Sequence, residues 1–265
     1  MHKGTETIFD KIIANQLERA NEARRRVPFN SLVHLAESRT DFRDFASAIS
    51  SHGVRVIAEM KKASPSAGLL RAEYRCRDLA LGYEAAGAAA LSILTEKDYF
   101  QGSLDDLREA RSSTRLPVLR KDFIVDEYQV YESAAVGADA LLLIVAAIED
   151  KTLRAMIELS HCLGIAALVE VHTEDELDRA LNAGAQILGV NNRNLKTLEV
   201  NLHTSFRLRS QIPADCLSVA ESGIRSPRDL RDLMDAGFNA ALVGEYFMRQ
   251  ADPGRALTQW LAGVQ

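Results

Sequence analysis

VIAEMKKASPS, residues 56–66, is an apolar run that ends in charged side chains. Val56, Ile57 and Ala58 make the run apolar on both faces, which is typical of a strand buried in a parallel sheet. Glu59 and Lys61 follow two residues apart, so on a strand they lie on the same face. Because removing such charges from water costs several kcal/mol per ion, their position indicates a functional role.

The same kind of apolar run occurs eight times along the chain. We expect strands at residues 54–60, 89–96, 116–123, 140–148, 165–171, 187–193, 216–222 and 240–245. Amphipathic stretches of helical length lie between them, and several end at a glycine that suits the left-handed conformation just after a helix. These glycines are Gly87, Gly137, Gly164, Gly184 and Gly237.

Two of the helix starts carry clear capping signals. Ser226 precedes Pro227, which predicts an N-cap followed by a first-turn proline. Thr173 precedes an acidic first turn with Glu176 at the third position, which predicts an N-cap and a capping box.

The eightfold alternation of strand and helix, without a linker, predicts a single parallel sheet closed into a (β/α)₈ barrel. An open doubly wound sheet is the alternative, but neither GxGxxG nor GxxxxGK[ST] follows the first strand. We expect one domain over residues 1–265, with an N-terminal helical extension at 1–53 and the barrel at 54–265. A length of 265 residues is normal for one such barrel.

The extension contains an amphipathic helix, and a second short helix is expected over residues 42–49. The apolar face of the first helix is predicted from residues at helical spacing, namely Ile8, Phe9, Ile12, Ile13 and Leu17. This extension must cover either the bottom of the barrel or its mouth.

Composition narrows the classes of partner and compartment. The net charge of −5 disfavours nucleic acid and anionic membranes as partners. Three widely spaced cysteines indicate reduced thiols, with neither a disulfide framework nor a zinc site. The N-terminus lacks a secretory pattern, and the longest apolar run, residues 138–148, is too short to span a bilayer, so a cytoplasmic protein is expected. Residues 24–26, RRR, are expected on a solvated helix face, and Trp260 on the barrel exterior.

Polar side chains recur at the predicted strand ends, where barrels of this type build their active sites. The side chains expected to meet at one mouth are Glu59, Lys61, Lys121, Glu170, Asn191, Arg193, Glu221 and Ser222. Lysines and carboxylates in a partly dry pocket perturb each other's pKa values, which suits general acid–base catalysis. Glu221 is interpreted as a salt-bridge partner behind the site, and His172 as a rim or helix-entry residue.

The last two strands carry a different signal. Ser222 and Gly223 follow the seventh strand, and Gly244 and Glu245 follow the eighth. Glycine lets backbone N–H groups approach a ligand, and these two loops are the usual phosphate site of this fold. Together with the lysines, they predict an anionic sugar-phosphate substrate.

The chain resembles the indole-3-glycerol-phosphate synthase family over nearly its whole length, including the helical extension. The resemblance rests on ExKxxSPS at residues 59–66, SILTEKDYFQGS at 92–103, LPVLRKDFIVDEYQV at 116–130, LVEVH at 168–172, GVNNRNL at 189–195, AESGI at 220–224 and LVGE at 242–245. It implies a (β/α)₈ enzyme of tryptophan biosynthesis, a carboxy-lyase. The reaction closes a ring in 1-(2-carboxyphenylamino)-1-deoxyribulose 5-phosphate, with loss of CO₂ and water, and needs no cofactor or metal.

The resemblance also implies roles for individual residues. Lys121 is the leading general acid and Glu170 the leading general base. Lys61 would pair with the substrate carboxylate or phosphate, or serve in one acid step. Glu59 would hold the lysines, and Asn191 would orient Glu59 and the substrate hydroxyl.

The remaining implied residues bind substrate. Ser64, Ser66 and Arg193 would contact it, and apolar walls for the aromatic ring would come from Leu94, Phe123, Leu142 and Leu195. Phosphate would lie on Ser222, Gly223, Gly244 and Glu245. Some relatives have serine in place of Glu245, so here only its N–H would help and its carboxylate must point away.

Two alternatives stay open at this stage. One is another sugar-phosphate barrel enzyme, such as a phosphoribosyl isomerase, and the other is a non-catalytic sugar-phosphate binding barrel. In each case the expected partner is a small sugar phosphate, and the chain is expected to be a monomer or weak homodimer.

Overall fold

The computed structural model describes residues 7–50 and 55–264, and the expected strand start at Val54 lies outside them. Within that part of the chain, eight parallel strands close into a barrel in sequence order, with the eighth beside the first. The strands are β1 Arg55–Met60, β2 Ala90–Leu94, β3 Val118–Lys121, β4 Ala140–Ile144, β5 Ala166–Val171, β6 Ile187–Asn191, β7 Leu217–Glu221 and β8 Ala240–Val243. The predicted (β/α)₈ barrel is therefore confirmed.

Twelve helices accompany these strands in the described residues. They are α1 Ile8–Arg26, α2 Phe29–Glu37, α3 Phe45–Ser50, α4 Cys76–Ala85, α5 Leu104–Ser113, α6 Glu127–Ala135, α7 Asp150–Cys162, α8 Glu174–Asn182, α9 His203–Arg209, α10 Pro227–Asp235, α11 Glu245–Met248 and α12 Pro253–Val264. A short hairpin, Ala63–Ser64 with Gly68–Leu69, follows β1, and a 3₁₀ turn at Val145–Ala147 follows β4.

The alternation along each strand explains why polar ends face inward. In β1, Val56, Ala58 and Met60 pack with the surrounding helices, whereas Ile57 belongs to the core inside the barrel. Glu59 is two residues beyond Ile57, so its side chain also points inward. The same spacing from interior residues places Lys121, Glu170 and Glu221 around the mouth.

The local helix signals are largely confirmed. All five predicted C-terminal glycines have positive φ angles, between 73° and 98°. Ser226 and Thr173 are N-caps whose side chains accept from the backbone N–H groups of Asp229 and Glu176. The capping box is incomplete, because the Glu176 carboxylate accepts from the N–H of His172, one residue before the cap.

The helical extension covers both ends of the barrel. Phe9 of α1 packs on Phe123 at the mouth, with 6.1 Å between ring centroids. Phe45 and Ile49 of α3 are buried in the interior core and contact the amino-terminal part of the barrel. The expected second helix corresponds to α3, three residues late in its start.

Two expectations for the extension are wrong. Leu17 is 46% exposed, because Gln16 takes the buried position and donates to Asp122 at 3.0 Å. Helix α2 was not expected; it packs on α6 through Phe29, whose ring lies 5.2 Å from that of Tyr131.

Two smaller predictions have mixed outcomes. Arg24 is not simply solvated, since it pairs with Asp126 at 2.6 Å, whereas Arg25 and Arg26 are exposed. Trp260 packs on the barrel exterior, against Tyr246 and Phe247, as expected. Among the residues described, we found no helix with the length and apolar character needed to cross a membrane.

Candidate active site

Lys121 lies at the centre of the mouth, between two buried carboxylates. Its Nζ is 2.8 Å from Oε2 of Glu170 and 2.6 Å from Oε2 of Glu221. Asn191 donates from Nδ2 to the other oxygen of Glu170, at 2.9 Å. Strands β3, β5, β6 and β7 thus supply one connected set of charged and polar groups.

A second ion pair lies at the end of β1. Lys61 Nζ is 2.7 Å from Oε2 of Glu59, so Glu59 binds one lysine and not both. The expectation that Asn191 orients Glu59 is wrong, because Asn191 orients Glu170. The reason is strand order: β6 is adjacent to β5, whereas β1 lies between β8 and β2.

The charges in the centre shift each other's pKa values. Burial alone would lower the pKa of Lys121, but Glu170 and Glu221 raise it well above its ordinary value. Burial would raise the pKa of Glu170, but Lys121 and His172 outweigh it and hold the pKa at about 2. Burial raises the pKa of Glu221 to about 7, with Lys121 opposing and Glu170 adding to the shift. At neutral pH an ammonium donor and a carboxylate acceptor are therefore in contact.

These groups surround a cavity of about 400 Å³, a volume in the usual range for small-molecule sites. Most of its wall is apolar. The expected wall residues Leu94, Phe123, Leu142 and Leu195 all line it, as does Arg193. Phe100, Ile144 and Leu242 extend the apolar surface. The cavity can accept an aromatic ring beside the charged centre.

Ser64 and Ser66 lie elsewhere. Both belong to the hairpin after β1, where Ser64 Oγ accepts from the N–H of Ala67 at 3.2 Å. Their hydroxyl oxygens are 3.5 Å apart, and neither residue is among those that line the cavity. The structure does not bring these two expected substrate-binding residues to the site.

The loops after β7 and β8 approach the cavity closely. Ser222 and Gly223 have φ angles of 64° and 79°, so the backbone is left-handed at both, which is uncommon for serine. A Cβ on Gly223 would lie 2.7 Å from Val200, and one on Gly244 would lie 2.3 Å from Oε2 of Glu59. Only glycine fits at these two positions without displacing a neighbour.

Glu245 lines the cavity, but cations hold its carboxylate. Oε1 accepts from Nη2 of Arg249 at 3.1 Å, and Oε2 lies 3.8 Å from Nη2 of Arg193. From the sequence, this carboxylate was expected to point away from the site, but it lies between Arg249 and Arg193, which both line the cavity. Two guanidinium groups offset its negative charge instead.

Comparison with known proteins identifies the family. The family model described as indole-3-glycerol phosphate synthase matches residues 9–260. The chain belongs to the indole-3-glycerol phosphate synthase family. A relative of that name from Polaromonas sp. is 52% identical over 256 residues, covering 95% of this chain and 97% of the relative. Another, from Polaromonas naphthalenivorans, is 50% identical with the same coverage.

Among solved structures, 3-hexulose-6-phosphate synthase from Salmonella typhimurium is similar with a TM-score of 0.64 and 14% identity. The match covers 80% of this chain and 100% of the solved chain, and this similarity shows the barrel fold alone. Membership of the indole-3-glycerol phosphate synthase family confirms the predicted activity, a carboxy-lyase of tryptophan biosynthesis. The isomerase and the non-catalytic binding barrel are not supported.

Three groups of the site have a larger role than the sequence pattern indicated. Glu221 is in direct contact with Lys121, and a Cβ on Gly189 would lie 2.2 Å from its Oε1, so glycine makes room for it. Arg225 and Arg249 line the cavity beside the loops that follow β7 and β8. The signal for both arginines was their place two and five residues after the glycines of those loops.

A potential ligand cluster lies outside the synthase site. Cys76, Asp106 and Glu109 come within 4.8 Å of one another on α4 and α5. The Cys76 thiol donates to the backbone oxygen of Asp106 at 3.1 Å, and burial raises its pKa to about 12. The thiol is therefore protonated at neutral pH and serves as a packing group. The three cysteines are free within the described chain.

Proposed function

We propose that Lys121 and Glu170 act as general acid and general base in the ring closure of 1-(2-carboxyphenylamino)-1-deoxyribulose 5-phosphate. The observation that carries this proposal is the 2.8 Å contact between the Lys121 ammonium and the Glu170 carboxylate, beside an apolar cavity. Lys121 protonates the ketone oxygen while the aromatic carbon attacks. After CO₂ leaves, the hydroxyl takes a proton from Lys61 or from reprotonated Lys121 and departs as water, while Glu170 accepts a ring-system proton.

The neighbouring groups support this pair. Glu221 helps to keep Lys121 charged, and Asn191 fixes the orientation of Glu170 through its 2.9 Å hydrogen bond. Lys61, fixed by Glu59, binds the substrate carboxylate or phosphate, or donates in one acid step. Ser222, which lines the cavity, is the last member of the proposed catalytic set.

The substrate has two recognisable ends, and the cavity has a place for each. The aromatic ring lies on Leu94, Phe123, Leu142 and Leu195, with Arg193 at the mouth. Phosphate binds the backbone N–H groups of Ser222, Gly223, Gly244 and Glu245, because these loops come close to the cavity without a Cβ in the way at the glycines. Arg225 and Arg249 add positive charge there.

The test is a direct assay with Lys121→Ala. Incubate the parental chain and the variant with the substrate and follow indole fluorescence. Loss of a positioned acid lowers kcat by about 10²–10⁴-fold, whereas phosphate binding should persist. Lys151→Ala, at an exposed lysine of α7, is the matched control and should retain the parental rate. A folded Lys121→Ala protein that turns over near the parental rate would disprove the acid role.

Lys61 needs a separate experiment, because binding and acid catalysis predict different kinetics. If Lys61 only binds substrate, Lys61→Ala raises KM and leaves kcat nearly unchanged. If it also donates a proton, kcat falls as well. Comparing both constants with those of the parental chain decides between the two roles.

We further propose that residues 1–265 form one domain acting in the cytoplasm as a monomer or weak homodimer. The single domain is supported by the packing of the extension on both ends of the barrel, through Phe9 at the mouth and Phe45 at the bottom. The net charge of −5 supports a small phosphorylated substrate as partner rather than nucleic acid or an anionic membrane.

A further inference from the structure

His172 follows β5 and lies beside the proposed base. Its side chain is only 11% exposed, and its Nδ1 lies 3.1 Å from Oε2 of Glu176, on α8. The same carboxylate oxygen accepts from the backbone N–H of His172 at 2.7 Å. The ring is therefore oriented by its Nδ1 contact with a carboxylate that the His172 backbone N–H also binds.

The other ring nitrogen is aimed at Glu170. Nε2 of His172 lies 3.6 Å from Oε1 of Glu170, is buried, and has no hydrogen-bond partner among the described residues. A buried polar atom without a partner costs about 1–3 kcal/mol, so its position calls for a physical reason. Since Glu176 accepts from Nδ1–H, the neutral ring presents the lone pair of Nε2 to Glu170.

We propose that His172 relays protons between buried Glu170 and partly exposed Glu176 at the rim. This inference rests on the proposed role of Glu170 as the base. His172 does not line the cavity, so it acts through Glu170 as a positioning and relay residue. Outward, the O–H bond on Oε1 of Glu170 breaks as an Nε2–H bond forms, and the Nδ1–H bond then breaks as an O–H bond forms on Oε2 of Glu176; inward, the same transfers run in reverse.

The family's chemistry gives this relay a use. The substrate carboxylate leaves as neutral CO₂ and the hydroxyl leaves as water, so each turnover takes up one proton from solvent. Glu170 is buried, with 2% of its side chain exposed, whereas 18% of the Glu176 side chain is exposed. The imidazole ring connects the two regions.

Surrounding charges favour a protonated ring. Carboxylates face it from three elements, namely Glu170 on β5, Glu176 on α8 and Glu221 on β7, and Lys121 of β3 lies beyond Glu170. Burial alone would lower the pKa of His172, but these carboxylates outweigh it and raise the pKa above its ordinary value. The ring can therefore hold the proton that Glu170 receives.

The kinetic test compares His172→Ala and His172→Gln with the parental chain. Removing the titrating ring should lower kcat by about 10²-fold, the lower end for a positioned proton-transfer group, with KM unchanged. Added imidazole should raise the kcat of His172→Ala several-fold. It should leave His172→Gln unchanged, because the glutamine fills the space. His161→Ala, at an exposed histidine of α7, is the matched control and should show neither effect.

A second measurement does not depend on turnover. The imidazole of His172, followed by NMR, should titrate at a lower pH in Glu170→Gln than in the parental chain, since a facing carboxylate is lost. An unchanged titration overturns the relay, whether or not the parental chain makes product. The relay is also overturned if His172→Ala has the same kcat as the parental chain. It is likewise overturned if kcat falls, added imidazole does not restore it and the pH profile of kcat is unchanged. Absence of product from the parental chain would instead contradict the proposed function.

Discussion

At the scale of single residues, the mouth holds more negative charge than its lysines offset. Glu59 is matched by Lys61, but Lys121 faces both Glu170 and Glu221. The second carboxylate is costly to ionise in a buried position. Its pKa of about 7 is the consequence, so Glu221 ionises only partly at neutral pH.

Glu221→Gln should therefore change stability in a pH-dependent way. In the folded state the pKa of Glu221 is raised from 4.5 to about 7, so its contribution favours folding at low pH and is lost as pH rises through 7. Glutamine stays neutral at every pH. Relative to the parental chain, the variant should gain roughly 2 kcal/mol of unfolding free energy between pH 5 and pH 8. Denaturant unfolding at both pH values measures this, and an equal difference at pH 5 and pH 8 would contradict it.

Much of this charged centre could be predicted from the sequence, because strand periodicity places Lys121 and Glu170 at the inner ends of their strands. The partner of Asn191 was not predicted, because the period of one strand does not show which strand lies next to it. A barrel closed in sequence order puts β6 beside β5, which makes Glu170 its neighbour. The arginine contacts of Glu245 depend on side-chain reach across loops, which periodicity does not encode.

At the scale of elements, α4 and α12 cross at two glycines with opposite requirements. A Cβ on Gly254 of α12 would lie 2.7 Å from the backbone oxygen of Gly82. A Cβ on Gly82 of α4 would meet its nearest neighbour, the Cα of Gly254, at 4.0 Å. The first contact is forbidden and the second is ordinary packing.

Alanine at the two positions should thus have opposite effects on stability. Gly82→Ala improves helix propensity and should raise the free energy of unfolding by up to about 1 kcal/mol. Gly254→Ala forces the helices apart and should lower it by about 1–3 kcal/mol. Each variant is the control for the other at one interface, and denaturant unfolding compares them. Destabilisation by both would show that the crossing tolerates no added carbon on either side.

The helices of the extension show where sequence patterns fail. The pattern in α1 favours Leu17 as a buried residue, but burial follows Gln16, which donates to Asp122 and accepts from Gln129. The spacing of hydrophobic residues does not reveal a buried polar network. Helix α2 buries Leu32 and Ala36 but has only nine residues, fewer than the window over which a helical period can be told from other patterns.

At the scale of the whole molecule, a buried carboxylate joins the extension to the barrel bottom. Asp139 is 1% exposed and lies 2.7 Å from Nη2 of Arg39 and 3.3 Å from Nη2 of Arg111. It also accepts from the backbone N–H groups of Arg43 and Val118. One side chain thus holds the segment before α3, helix α5 and the start of β3.

Asp139→Ala should accordingly destabilise the fold far more than removal of Asp41, an exposed carboxylate that pairs with the same arginine, Arg39. It leaves Arg39 and Arg111 buried without this partner, which should cost about 3–5 kcal/mol of unfolding free energy. Asp41 also pairs with Arg39, at 2.9 Å, but its side chain is 74% exposed. Asp41→Ala should cost at most about 1 kcal/mol. Hydrogen exchange should also accelerate at the amides of Arg43 and Val118 in Asp139→Ala alone. Equal losses of stability in the two variants, with unchanged exchange at both amides, would mean that Asp139 does not join the extension to the barrel.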